Sequence, residues 1–365
     1  MSEYILILIW FLFVVFITQL KEVQRVETVN NKSVKRYKPW FAFLVFLPII
    51  IMAGNRGWFV DTGTYIRSFR NMPSSLVDIP SYIRGVKKDQ GFYGCSAVLK
   101  TFIGNDYVVY LTIIALIQGC AIIKVFRKYS IDYALSVFLF VVSTDYISWM
   151  YNGIRQFTAV TIIFAATPLM LKKKYLSVLA IIWIASTMHQ SALIMIPLVL
   201  IAQGKAWNKK TLAFIVGALL AITFIGQFTN ILDSALSDTQ YVNVVSDYTS
   251  WEDDGTNPLR VLIYSIPAIL SFFGRRDIRR LGDPIINFCT NMSIISMGLY
   301  IISMFTSGIF MGRLPIYISL YGYILLPWEM KNLFTQQSKR IVYIGLVGFY
   351  LLFYYFQMHM IWGLF

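Results

Sequence analysis

Apolar runs about as long as a bilayer is thick recur along this chain, and the short loops between them hold most of its lysines and arginines. That alternation constrains the fold more than any single motif. In lipid a backbone has no water to bond, so each run must satisfy its own N–H and C=O groups as a helix. With 57% hydrophobic residues, only 14% charged and a mean hydropathy of +0.63 over 365 residues, an ordinary soluble domain is excluded. The first run, Tyr4 to Leu20, follows Glu3 rather than a basic segment and has no small-residue cleavage site, so it reads as a retained helix.

The net charge of +14 raises the question of nucleic acid, and the positions of the charges answer it. Of 32 Lys and Arg, 22 fall in the clusters 21–38, 124–128, 172–174, 205–210, 275–280 and 331–340. Assigning these loops to the cytoplasm satisfies the positive-inside rule at every crossing and puts both termini outside. The basicity then reports orientation and contact with anionic lipid, with no nucleic-acid partner expected. Cys95, Cys120 and Cys289 are scattered, odd in number and without metal spacing, so apolar packing is the reading for each.

The segments read as Tyr4–Leu20 inward, Pro39–Gly54 outward, Tyr107–Ile123 inward, Ile131–Ser143 outward and Asn152–Leu171 inward. Tyr175–Ala202 has basic loops at both ends, so it is split at His189 into two short helices with the histidine at the outer apex. Thr211–Phe228, Arg260–Phe273, Ile285–Met304, Phe310–Trp328 and Ile341–Met360 follow. The expected fold class is therefore all-α, a polytopic integral membrane protein of about twelve transmembrane helices in a single domain, residues 1–365. Residues 55–106 form an outer stretch in which Gly91–Phe102, apolar but too short to span, suits an interfacial or re-entrant helix. Residues 229–258 form an outer acidic loop.

Under this topology unusual polar residues gather on the outer rim. Arg155 sits in Tyr151-Asn152-Gly153-Ile154-Arg155-Gln156 at the mouth of a span, where Asn152, Arg155 and Gln156 share one helix face. Arg56 and Asp61 follow the second span, with Tyr65 four residues beyond Asp61; Arg313 opens the eleventh span, with Tyr317 one turn on. Insertion disfavours basic residues at outer helix ends, so three arginines there call for an anionic partner. The bland alternative for each is an arginine snorkelling to the headgroups. His189, in Thr187-Met188-His189-Gln190-Ser191, is a candidate proton acceptor or a structural histidine; His359 is assigned no role. No cluster has the spacing of a metal centre, so no metal or cofactor is expected.

Together Arg56, Asp61-Thr62 and Tyr65, Asp89-Gln90-Gly91-Phe92-Tyr93, the stretch Tyr151–Gln156, His189-Gln190-Ser191-Ala192-Leu193, and Gly312-Arg313 with Tyr317 resemble the EpsG family of Wzy-type polysaccharide polymerases. One position departs from the pattern: the family's glutamate and proline before Gly-Phe are here Asp89 and Gln90. The resemblance implies a multi-pass enzyme of the bacterial cytoplasmic membrane, with its site facing outward, in exopolysaccharide, capsule or O-antigen synthesis. A glycan on undecaprenyl pyrophosphate is passed to the free sugar end of another lipid-linked repeat, with a chain-length regulator as an additional partner. On this reading Arg155, Arg56 and Arg313 hold pyrophosphate without a metal, and Asn152, Gln156, Tyr65, Asp89 and Tyr317 contact substrate. His189 or Asp61 takes the acceptor proton. A flippase or exporter of lipid-linked oligosaccharide and a membrane O-acyltransferase are the alternatives.

Overall fold

The computed structural model describes residues 3–17, 23–29, 32–57, 61–235 and 255–363. Among the described residues the structure is 82% helical. Helix α1 (Glu3–Ile17) leads to an antiparallel hairpin, β1 (Gln24–Val29) and β2 (Lys32–Tyr37), with Gln24 opposite Tyr37 and Val29 opposite Lys32. The expected all-α class holds, with almost no sheet beyond this hairpin among the described residues. The basic loop, read from the sequence for its charge, also carries β-branched and aromatic residues (Val26, Thr28, Val29, Val34, Tyr37), which favour strands.

Helix α2 (Pro39–Gly54) is followed by three helices within residues 55–106, α3 (Thr62–Asn71), α4 (Ile79–Gly85) and α5 (Gln90–Ile103). Next come α6 (Tyr107–Tyr129), α7 (Tyr133–Val142), α8 (Asp145–Asn152), α9 (Ile154–Ala165), α10 (Thr167–Leu171) and α11 (Tyr175–Met188). Then follow α12 (Met195–Ala202), α13 (Lys209–Thr223), α14 (Ile225–Ala235), α15 (Pro258–Phe273), α16 (Arg275–Leu281), α17 (Pro284–Met304), α18 (Gly322–Asn332) and α19 (Gln336–Tyr355). Among the described residues three helices are long and apolar enough to cross a membrane, or up to five if the bent pairs α7–α8 (67°) and α13–α14 (103°) each count once. The other apolar helices are shorter, which is where the count departs from twelve.

Several expected continuous segments are broken, each for a local reason. The run 152–171 divides at Gly153, so Asn152 ends α8 while Arg155 and Gln156 open α9; it divides again at Ala166, before Pro168. The face once assigned to Asn152, Arg155 and Gln156 together therefore does not exist as one helix face. The break at His189 is present: α11 stops at Met188 and His189 is extended (φ −160°, ψ 121°) before a 3₁₀ turn, Gln190–Ile194. Phe310–Trp328 begins as three 3₁₀ turns, 311–313, 315–317 and 319–321, before α18, because Gly312 and Pro315 discourage a continuous helix. Most of the acidic loop 229–258 lies outside the described residues.

Contacts divide the chain into two compact units, residues 1–193 with 341–365, and residues 194–340. In the first, α6 starts at Asp106, whose carboxylate accepts the amides of Val108 and Val109 at 3.0 Å. It packs on α2, and a Cβ at Gly119 would lie 2.8 Å from the Ile50 side chain, so only glycine allows that approach. Helices α3 and α5 dock on α6 through Ile66, Phe69, Phe92 and Tyr110, with the Phe69 and Tyr110 rings stacked at 4.1 Å. Burial of a side chain like Phe69 contributes about 1.5–3 kcal/mol. Lys100 Nζ donates to the Arg70 and Met72 carbonyls, fastening the end of α3 to α5. That layer of short amphipathic helices carries the site.

In the second unit, α17 is buried along most of its length. Asn287 and Asn291 accept the amides of Ala206 and Trp207 at 2.9 and 3.1 Å, fixing the turn between α12 and α13.

Candidate functional site

Arg56 follows the end of α2 and turns inward. Its Nη1 donates to the Ala53 carbonyl (2.6 Å) and to the Met150 carbonyl (3.1 Å), its Nε donates to Thr62 Oγ1 (3.1 Å), and the guanidinium lies 5.5 Å from the Tyr151 ring centroid. The residue is 8% exposed, and Nη2 is buried with no hydrogen-bond partner. Burial pushes its pKa down to about 10, which leaves it charged at neutral pH. Three helices, α2, α3 and α8, thus meet on one cation. These hydrogen bonds all go to uncharged acceptors.

The entry to α9 is held from both sides. Tyr65 donates its hydroxyl to the Asn152 carbonyl at 3.1 Å, and Gln118 on α6 donates to the Ile154 carbonyl (3.2 Å) and to Thr158 Oγ1 (3.0 Å). Asn152 therefore serves through its backbone, while its side-chain Oδ1 is buried without a partner. Gly153 is required here because a Cβ would meet the Trp149 ring at 2.1 Å.

From this mouth Arg155 projects onto Asp89. Arg155 Nη1 donates to Asp89 Oδ2 at 2.6 Å, with the two side chains 25% and 1% exposed. The guanidinium also donates to the Tyr65 phenol oxygen and lies 5.7 Å from the Tyr93 ring centroid. Asp89 precedes α5 in the left-handed region (φ 56°, ψ 36°), a conformation tolerated by aspartate and costly for most residues. Burial raises its carboxyl above the usual range; Arg155, then the Gln190 backbone N–H, act in the opposite direction. Asp89 Oδ1 and Arg155 Nε are both buried and unpartnered. An acceptor and a donor are thus left unused at either end of the pair.

The third part is the break after α11. A Cβ on Gly91 would lie 2.2 Å from Thr187 Oγ1, so glycine lets α5 press against α11 and brings Gln190 to Asp89. One residue earlier, His189 Nδ1 is 2.7 Å from Ser191 Oγ, and Gln156 Nε2 donates to the same hydroxyl at 3.3 Å. Gln156 links the start of α9 to the histidine through this serine.

Six of the expected residues therefore converge within the first unit: Tyr65, Asp89, Asn152, Arg155, Gln156 and His189. Arg56 supports them from beneath. Asp61 is exposed at the start of α3, makes no capping bond, and its charge is felt by Tyr65; the acid tied to the histidine segment is Asp89. Arg313 and Tyr317 belong to the second unit, where Arg313 is exposed and Tyr317 is buried in successive 3₁₀ turns, so they are not one helical turn apart. Sequence reasoning passed over Gln118, Tyr93 and Ser191 as individual contributors. A glutamine inside an apolar helix was the available signal for the first.

Long apolar helices in a helical fold define a membrane protein, in which a half-buried arginine pairs with a buried carboxylate near a histidine at a helix break. The chain belongs to the EpsG family, of Wzy-type polymerase-like proteins, whose model matches residues 39–361 and so includes all the residues above. No curated protein and no solved structure matches it.

Proposed function

We propose that this protein is a glycosyltransferase that polymerises undecaprenyl-pyrophosphate-linked repeat units into exopolysaccharide, capsule or O-antigen at the outer face of the bacterial cytoplasmic membrane, in a chain of about twelve crossings. The observation that carries this reading is the Arg155–Asp89 pair, with its unused donor and acceptor, next to the chain Gln156–Ser191–His189. A guanidinium fork matches phosphate oxygens and stabilises the charge that grows on a departing diphosphate.

In the reaction the acceptor hydroxyl oxygen attacks the anomeric carbon of the donor sugar. The bond from that carbon to the diphosphate oxygen breaks, and the lipid diphosphate leaves with the bonding electrons toward Arg155. The hydroxyl proton goes to the His189 imidazole, whose Nδ1 lies 2.7 Å from Ser191 Oγ. Attack opposite the leaving group inverts the anomeric centre. Tyr65 and Tyr93 flank the guanidinium, and Asp89, sealed from solvent, holds it in place. Arg56 keeps α2, α3 and α8 in register beneath the reacting groups.

The test is polymerisation by the purified protein from defined lipid-linked repeats. A glycan ladder that vanishes in Arg155→Ala, with single lipid-linked repeats accumulating outside the membrane in cells, supports the reading. Absence of any lengthened glycan with wild-type protein, together with normal chain length in Arg155→Ala cells, overturns it. Repeats trapped inside the membrane would identify a flippase instead.

A further inference from the structure

At the far end of α9 from Arg155 the first unit carries a second surface that the reaction above does not use. Ile117, Ala121, Lys124 and Lys128 of α6 are spaced by four, three and four residues, so they form one stripe along one helix face. The first three line a groove of about 540 Å³ whose other walls are Ile162 and Ala165 of α9, Leu169 of α10 and Ile181 of α11. Lys124 is the one charged residue in that lining. One turn further, Lys128 feels the like charges of Lys172, Arg36 and Lys124, and among the described residues no carboxylate joins them. Lys124, Lys128 and Lys172 are all exposed.

We infer that this groove and the lysines at its end bind an anionic glycerophospholipid of the surrounding membrane, one acyl chain in the groove and the phosphate against Lys124, Lys128 and Lys172. Charge complementarity selects the occupant. Three like charges on converging helix ends repel one another until an anion joins them, and an apolar trough opening onto them suits a molecule with a phosphate at one end of a hydrocarbon chain. The lysine end is the end that the positive-inside rule assigns to the cytoplasm, where anionic lipid attracts such clusters. A polyprenyl substrate fits less well: with its diphosphate at Arg155, it would bring its apolar terminus, not its charge, to the lysines. The inference does not depend on the glycosyl-transfer reading.

The full-length protein in detergent, titrated with phosphatidylglycerol, phosphatidylcholine and polyprenyl phosphate under native mass spectrometry, tests it. Phosphatidylglycerol is expected to bind at least roughly tenfold more tightly than phosphatidylcholine, and the Lys124→Gln/Lys128→Gln/Lys172→Gln variant to lose that preference. Ala165→Leu, which narrows the groove, is expected to weaken phosphatidylglycerol binding in a protein of unchanged helix content. Equal binding of the two phospholipids, or full retention by the triple variant, overturns the inference. Tighter binding of polyprenyl phosphate than of phosphatidylglycerol, lost in Ala165→Leu, overturns it in favour of a substrate groove.

Discussion

Arg155 and Asp89, 66 residues apart, meet at 2.6 Å with the carboxylate sealed from solvent. Removing the arginine alone leaves a buried charge without compensation, which costs about 3–5 kcal/mol, so Arg155→Ala is expected to lower the thermal midpoint markedly as well as to abolish polymerisation. Adding Asp89→Asn is expected to restore the midpoint but not the glycan ladder. A double variant that regains activity along with stability would show that Arg155 is only structural.

The histidine and its serine are separable by size of effect. His189→Ala is expected to reduce the polymerisation rate by about 10²–10⁴, the usual worth of a general base. Ser191→Ala, which frees the ring from its 2.7 Å contact, is expected to cost less and to leave the folded state intact. Equal losses for both, with unchanged pH profiles, would argue against the base assignment.

Arg56 is expected to show its effect in stability first. Arg56→Met withdraws the donors from the Ala53 and Met150 carbonyls, and each orphaned buried acceptor costs about 1–3 kcal/mol. Thermal unfolding in detergent should show the loss, with Arg56→Lys recovering part of it. An unchanged midpoint would contradict the role as a fastener.

Close approach at Gly91 predicts that Gly91→Ala forces α5 and α11 apart, an overpacking cost of about 1–3 kcal/mol. Thr187→Ala removes the 2.2 Å contact with Oγ1 but not the 2.7 Å contact with Cβ, so the double variant is expected to recover only part of the loss. Strict additivity of the two substitutions would exclude the contact.

Asp89 fixes the sign of one pH effect. Its carboxyl is held above the ordinary range by burial, so the folded state binds its proton more tightly than the unfolded chain does. Its contribution to stability is fully present below the unfolded value of about 3.9 and is lost as pH rises through the folded value. The wild-type midpoint, measured relative to Asp89→Asn, is therefore expected to fall across that window and level off above it. A relative midpoint that rises instead would mean that Arg155 outweighs burial.

Much of the site was legible because its residues violate the economy of a membrane chain. Arg155 and Arg56 stand at what the expected topology makes outer helix ends, where insertion disfavours basic residues, and His189 interrupts a run too short for two ordinary spans and flanked by lysines on both sides. What could not be read was which partner each would find. Asp61 and Asp89 are equivalent as letters; the left-handed turn before α5 and the glycine contact with α11 make Asp89 the one that reaches Arg155. Arg56 looked like a ligand for phosphate because sequence shows charge but not direction, and its side chain points back into the protein. The hairpin β1–β2 was hidden by its own lysines, and Gln118 by the apolar residues on either side of it.

The ion pair at the mouth of α9 also sets how any anion is held there. A phosphate arriving at Arg155 displaces a tethered carboxylate whose local concentration never dilutes, so measured affinity is the surplus over that internal rival. The same rival is waiting when the anion departs. A site built this way exchanges occupants readily, as the polymerase proposed above requires if it is to release one lipid carrier for every sugar repeat it joins.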